Sequence, residues 1–269
     1  MAQDDTPEFV RFHKEGDVGI ITLDREPQNR VNRQVAAELG HAVSAAAQSG
    51  ARALIVRAEG DNFCWGGDFR EWPQFSDYLK RRERWTLSNG ALIALENLPI
   101  PTISVVHGNA FGFGFELALH TDMIIAGESA QFRFPEATIA VFPLAGGAQR
   151  IAERAGRNAA ARLVMLTEII DAAEAYRLNL LTKVLPDAEL QSGAMEIAVK
   201  LASGPTRAHA ATKMMLTAWA SGGVPNADAQ MIELIPNILA TDDVETAIKS
   251  AAEALAKGGE RPTLKFKGT

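Results

Sequence analysis

One cysteine, Cys64, is all the sulfhydryl chemistry this 269-residue chain carries. That excludes an internal disulfide framework and a Cys-rich metal site, and it points to a reducing compartment, with the cytoplasm as the default expectation. Positive charge is also scarce, with 27 Lys plus Arg against 33 Asp plus Glu for a formal net charge of -6. No nucleic-acid or acidic-membrane partner is expected, and any anionic ligand has to be held by local groups. No apolar run reaches the roughly 20 residues that span a bilayer. Met1 to Pro7 are polar and acidic, without the basic and apolar regions of a signal peptide. The histidines, His13, His41, His107, His120 and His209, lie on separate segments without ligand spacing, so no metal site is expected.

What is present is the balance of an ordinary globular protein, 47% hydrophobic and 22% charged. The length suffices for one large domain, or a core domain with a smaller appendage. Short β-branched apolar runs predict strands at Val18 to Leu23, Ala53 to Ala58 and Thr102 to Val106, with further ones at Met123 to Ala126 and Lys183 to Leu185. Gln34 to Ala47 has helical periodicity between the first two. Strand and helix alternate, which favours an α/β layer structure. Beyond about Gly147 the pattern turns helical, at Ala159 to Leu166, Asp171 to Leu180, Ala188 to Ala202, Pro205 to Ala220, Asp228 to Ala240 and Asp243 to Lys257. Gly204-Pro205, Gly222-Gly223 and Gly258-Gly259 punctuate it.

Three segments carry chemistry. Gly108-Asn-Ala-Phe-Gly-Phe-Gly-Phe-Glu116 follows a predicted strand and leads into the apolar run at Leu117. A glycine-rich turn at a helix start exposes backbone N–H groups where negative charge on an oxygen, from a phosphate or a developing oxyanion, is favoured. The plainer reading is that the glycines only permit tight packing. Asn62-Phe-Cys-Trp-Gly-Gly-Asp68 forms a similar turn after another strand, so two sets of amides can converge as an oxyanion hole. The third segment, Phe132-Arg-Phe-Pro-Glu136, places a carboxylate ahead of an apolar stretch and of the Gly146-Gly147 helix entry. Burial would raise its pKa and suit it to proton transfer near neutrality; the alternative is a solvated glutamate at a helix start.

These segments resemble the enoyl-CoA hydratase/isomerase, or crotonase, superfamily, from about Val18 to the C-terminus. Two glutamates match the hydratase pattern, Glu116 and Glu136, spaced 136 - 116 = 20 residues. The resemblance implies a crotonase-type α/β spiral core of ββα repeats over residues 1–200 and a helical region over residues 201–269 that mediates trimers or paired trimers (hexamers). It also implies that the N–H groups of Gly67 and Phe113 form the oxyanion hole, and that Cys64, Trp65, Gly66, Asp68, Gly112, Leu144 and Lys265 contact substrate or CoA. The reaction implied is the lyase reaction of fatty acid metabolism, reversible hydration of a trans-2-enoyl-CoA to a 3-hydroxyacyl-CoA. Glu116 would activate water and Glu136 would donate the proton, with no cofactor beyond the CoA of the acyl-CoA substrate. A one-glutamate isomerase, hydrolase or carbon-carbon cleaving enzyme is the alternative within the family, and a non-catalytic acyl-CoA binding protein the alternative outside it.

The chain departs from the family pattern at Phe113 and Leu144, where glycine is usual, and at Trp65 and Glu168. A positive φ at Phe113 would strain a non-glycine residue, and its ring would narrow the acyl pocket. Cys64 has no base near it in sequence and reads as a buried small hydrophobe, and His120, four residues after Glu116, as a packing or hydrogen-bonding partner. The run Lys80-Arg-Arg-Glu-Arg84 reads as a solvated helix face, with contact to CoA phosphates as the alternative.

Overall fold

The computed structural model describes residues 8–74 and 77–269. The reading of Met1 to Pro7 therefore lies outside the described residues. Strands β1 (Val10–Glu15) and β2 (Val18–Leu23) form an antiparallel hairpin. Helix α1 (Arg33–Gln48) begins where the Asn32 side chain accepts the N–H of Val35, and leads to β3 (Ala53–Ala58). Helix α2 (Tyr78–Glu96), capped by Asp77, precedes β4 (Thr102–Val106), the short β5 (Asn109–Phe111) and helix α3 (Phe113–Leu119). Then come β6 (Met123–Gly127), β7 (Gln131–Arg133), helices α4 (Gly147–Ala155) and α5 (Arg157–Leu166), and β8 (Ile170–Asp171). Helix α6 (Ala172–Arg177) and β9 (Lys183–Leu185) are followed by α7 (Leu190–Ala202), α8 (Thr206–Leu239) and α9 (Asp242–Ala256).

The larger sheet runs β1-β2-β3-β4-β6-β9, parallel except for the β1–β2 hairpin; the smaller runs β5-β7-β8. The central strands β2, β3 and β4 are buried, apart from the half-buried Arg57 of β3, because both sheet faces are covered, as parallel strands require. Alternate side chains divide between the faces: Ile20, Ile55, Ile103 and Ile125 pack with Ala194, Ala198 and Ala202 of α7, while Ile21, Leu54 and Ile124 join the larger core with α1 and α2. Each such burial stabilises the fold by about 1.5–3 kcal/mol.

All five strands expected from sequence are present. Of helix α2 only the run Lys80 to Arg84 was read as helical, and strands β1, β5, β7 and β8 were not expected as such. The first has only four buried residues, Ser88, Ala91, Leu92 and Leu95, so its apolar face is faint in sequence. The short strands exist through their partners. The two helices expected on either side of Gly222-Gly223 are present within α8, divided by a non-helical break at Gly223 (φ 69°), just before Pro225. Among the described residues, no helix is long and apolar enough to cross a membrane.

Candidate active site

The site forms where the chain leaves the C-terminal ends of β3 and β4. The segment after β3 lies alongside the segment after β4: the N–H of Phe63 donates to the carbonyl of His107, that of Cys64 to Asn109, and that of Phe111 back to Cys64, at 2.9–3.0 Å. Two turns distant in sequence thus share one wall of a cavity of about 50 Å³, lined among others by Gly67, Phe113, Glu116, Glu136 and Leu144.

Gly112 is the residue before α3, with φ 52° and its N–H donated to the carbonyl of Arg133. That places Phe113 at the first helical position with ordinary helical backbone, which corrects the expectation of strain there: the glycine before it takes the positive φ. The Phe113 ring is 7% exposed, packed into the core while lining the cavity. A first-turn N–H has no acceptor within its own helix. On the opposite turn, the N–H of Val31 bonds the carbonyl of Gly66, and the carbonyl of Val31 accepts from Asp68. Gly67, between them, directs its own N–H to the other side. A Cβ on Gly66 would stand 3.4 Å from the nitrogen of Phe113, so the two turns approach closely.

Glu116 sits in the first turn of α3, a helix whose every residue is buried. Its Oε1 accepts the N–H of Ala145 at 2.8 Å and of Gly147 at 3.0 Å, at the entry to α4. Burial pushes its carboxyl from 4.5 up to about 7, against the opposing pull of those two N–H groups and of the Arg150 charge. Glu136 opens a short 3-10 turn after Pro135. It reaches the cavity because β5 and β7 pair in parallel with Phe111 opposite Arg133, which carries residues 134–136 past Gly112. The positive φ of Gly112 favours glycine, and a Cβ there would lie 2.8 Å from Glu136 Oε1, so a side chain would push this carboxylate from its place against the amide turn. Its Oε2 is buried without a hydrogen-bond partner, and burial, then the charge of Glu116, raises its carboxyl to about 7.

The remaining expected residues divide. Trp65, Gly66, Gly112 and Leu144 line the cavity. Asp68 does not: it is 2% exposed and lies in a neighbouring open groove with Arg25, Arg30 and Arg70. Hydrogen bonds from Arg70, and the Arg25 guanidinium at 2.9 Å, hold its carboxyl well below the usual range. Cys64 is a correction. It is fully buried behind the wall, where a Cβ on Gly114 would meet its carbonyl oxygen at 2.2 Å, and burial pushes its thiol up to about 12. Lys265 is not among the residues that line the cavity within the single chain. The tail around it is tied to the starting end of β3 by Arg52 donating to the carbonyl of Phe266 (2.8 Å) and Phe266 donating to that of Ser203 (3.0 Å).

His120 is the hydrogen-bonding partner expected: Nδ1 lies 2.7 Å from the Glu116 carbonyl oxygen, and burial lowers its pKa to about 4. Arg84 departs from the solvated run that contains it. Its side chain is 9% exposed, ion-paired with Glu71 at 2.9 Å, and lines the cavity together with Trp85 and Ser88. No spacing in the sequence marks it. Glu168 is paired with Arg162 at 2.7 Å.

An α/β scaffold that brings two desolvated carboxylates and two amide turns to one cavity defines a class of enzyme built for carbonyl chemistry. Residues 13–261 match the family "Enoyl-CoA hydratase/isomerase", and the chain belongs to it. The short-chain-enoyl-CoA hydratase of Clostridium acetobutylicum is 30% identical over 247 residues, 91% of this chain and 94% of that protein. The mitochondrial enoyl-CoA hydratase of Pongo abelii is 33% identical over 208 residues, 73% and 68% of the two chains. The crystal structure of an enoyl-CoA hydratase from Bacillus anthracis superimposes with a TM-score of 0.85 at 27% identity, covering 97% of this chain and 100% of that one. The fold is therefore the crotonase fold expected from sequence.

Proposed function

We propose that the chain is an enoyl-CoA hydratase, adding water reversibly across the double bond of a trans-2-enoyl-CoA to give a 3-hydroxyacyl-CoA. The observation that carries this reading is the pair of carboxylates, Glu116 buried and Glu136 half-buried and each raised to about 7, on one cavity wall beside the amides of Gly67 and Phe113. The thioester oxygen accepts from those two N–H groups, which stabilise the enolate that forms as water attacks C3.

The two carboxylates differ in a way that supports separate roles. Glu116 Oε1 accepts two backbone N–H groups, which favours the ionised form; it takes the proton of the attacking water. Glu136 keeps a buried oxygen without a donor, which favours the protonated form; it delivers the proton to C2. A one-glutamate isomerase or hydrolase leaves one of these costly buried groups without work, and a non-catalytic binding protein leaves both. Because the pair titrates as a unit, proton exchange between them restores the starting state.

The groove with Arg25, Arg30 and Arg70 supports binding of the CoA phosphates, and Trp65, under the Arg30 guanidinium at 5.6 Å, offers a flat face beside it. No cofactor takes part beyond the CoA of the substrate. Residues 201–269 serve assembly: Leu216, Trp219, Met231, Ile232, Ile235 and Leu239 of α8 are exposed, a face that supports the trimer or pair of trimers. The buried thiol fits the reducing cytoplasm.

Loss of the conjugated thioester absorbance of crotonyl-CoA and longer 2-enoyl-CoAs tests the reading. Glu116→Gln and Glu136→Gln each lower kcat by about 10² to 10⁴. Absence of turnover by the unaltered enzyme on every chain length refutes it.

A further inference from the structure

Glu116 is held by a turn, and the turn is held from behind by a residue that is not among those lining the cavity. Gly146 precedes α4 in the left-handed region (φ 88°, ψ 20°), and its two neighbours, Ala145 and Gly147, supply the N–H groups that Glu116 Oε1 accepts. Arg150, in the next turn of α4, folds back so that Nη1 donates to the Gly146 carbonyl at 3.1 Å. A Cβ on Gly146 would stand 2.2 Å from that Nη1, so the glycine supplies the space for the guanidinium as well as the backbone angle.

The other edge of the guanidinium engages Glu96, the last residue of α2, through Nε to Oε1 at 2.9 Å and Nη2 to Oε2. The Arg150 side chain is 15% exposed and that of Glu96 38%, so this two-point contact is shielded on the Arg150 side and open to water on the other. We infer that Arg150, braced by Glu96, is a positioning residue for the hydration reaction, clamping the Ala145–Gly147 turn so that its amides aim the Glu116 carboxylate at the reacting centre. This rests on the role assigned to Glu116 above.

The electrostatics agree. Around Glu116 and its neighbour His120, the residue that caps α3, stand Glu136 on the 3-10 turn, Arg150 and Arg154 on α4, and Glu96 at the end of α2. His120 is held neutral by burial, and Arg154 is spent on the carbonyls of Leu119 and Thr121. Arg150 is the cation whose charge favours the ionised form of Glu116.

The test compares Arg150→Gln, Arg150→Lys and Glu96→Gln, reading kcat and KM with crotonyl-CoA across about pH 5 to 9. Arg150→Gln lowers kcat by about 10²-fold, the scale of a 1 Å misplacement, with KM within about threefold. Its acid limb moves up by about one pH unit, because loss of the cation makes Glu116 hold its proton longer. Glu96→Gln keeps the cation but loosens the clamp, so kcat falls with no upward move of the limb. Arg150→Lys keeps the charge without the two-point contact and behaves like Glu96→Gln, which preserves the test should Arg150→Gln not fold. A kcat within twofold of the unaltered enzyme and an unmoved limb in Arg150→Gln, or equal limb shifts in all three variants, overturns the inference. Carboxyl titration of Glu116 by carbon-13 NMR in the resting protein separates the two readings. If the unaltered enzyme lacks turnover, the hydratase reading fails, and an unchanged Glu116 titration in folded Arg150→Gln then overturns the inference on its own.

Discussion

Replacing Glu116 by glutamine should make the protein more stable at alkaline pH while removing its activity. Glu116 is 2% exposed, and burial carries its carboxyl from 4.5 in the unfolded chain to about 7 in the folded one. Its folded pKa lies above its unfolded pKa, so between about pH 4.5 and 7 the native state binds more protons than the unfolded state. Stability therefore falls as pH rises through that window, and the whole penalty is present above it. The difference, 7 - 4.5 = 2.5 on the pKa scale, is worth about 3 kcal/mol at roughly 1.4 kcal/mol per pH unit.

Glutamine keeps an oxygen to accept the N–H groups of Ala145 and Gly147 and cannot ionise, so it carries none of this pH dependence. Urea unfolding at about pH 5, 7 and 9, at one protein concentration because assembly contributes to stability, should give similar midpoints for the two proteins at pH 5. At pH 9 Glu116→Gln should be the more stable by about 2–3 kcal/mol. Equal pH slopes for the two proteins would refute the claim that burial of this carboxylate is what tunes it.

Gly114→Ala forces a Cβ to within 2.2 Å of the Cys64 carbonyl oxygen and 2.7 Å of its Cβ, both buried and on rigid segments. It should cost about 1–3 kcal/mol in unfolding free energy and lower kcat by about 10² or more by moving the Phe113 amide away from Gly67; a variant with unchanged midpoint and kcat contradicts the convergence of the two turns. Cys64, buried with its thiol pushed up to about 12, should resist iodoacetamide at about pH 8 in the folded protein and react on unfolding in urea. Mass spectrometry showing prompt labelling of the native protein counts against that burial.

The legible part of the fold was the part written in local pattern. The strand Val18–Leu23 is apolar without alternation, a mark of burial on both faces, and the glycine-rich turn before α3 announced a helix start with free amides. The strands β5 and β7 were not legible, since three residues such as Asn109–Phe111 have no periodicity of their own and become a strand only by pairing. Arg84 shows the same limit in a side chain: the basic run around it looks uniformly solvated, yet the pitch of α2 turns this one guanidinium into the cavity.

For the site, the sequence determined the identities that chemistry requires: two glutamates twenty residues apart, and glycines where backbone must approach backbone. The tertiary structure decided what those groups can do. The N–H donors to Glu116 come from 29 and 31 residues away, and Glu96 meets Arg150 across 54. It also settled that Gly112, and not Phe113, takes the positive φ, and that Cys64 faces the core. Proton affinity near neutrality follows from desolvation and neighbouring charge, which no single segment contains; they exist only once distant segments have closed around the same carboxylates.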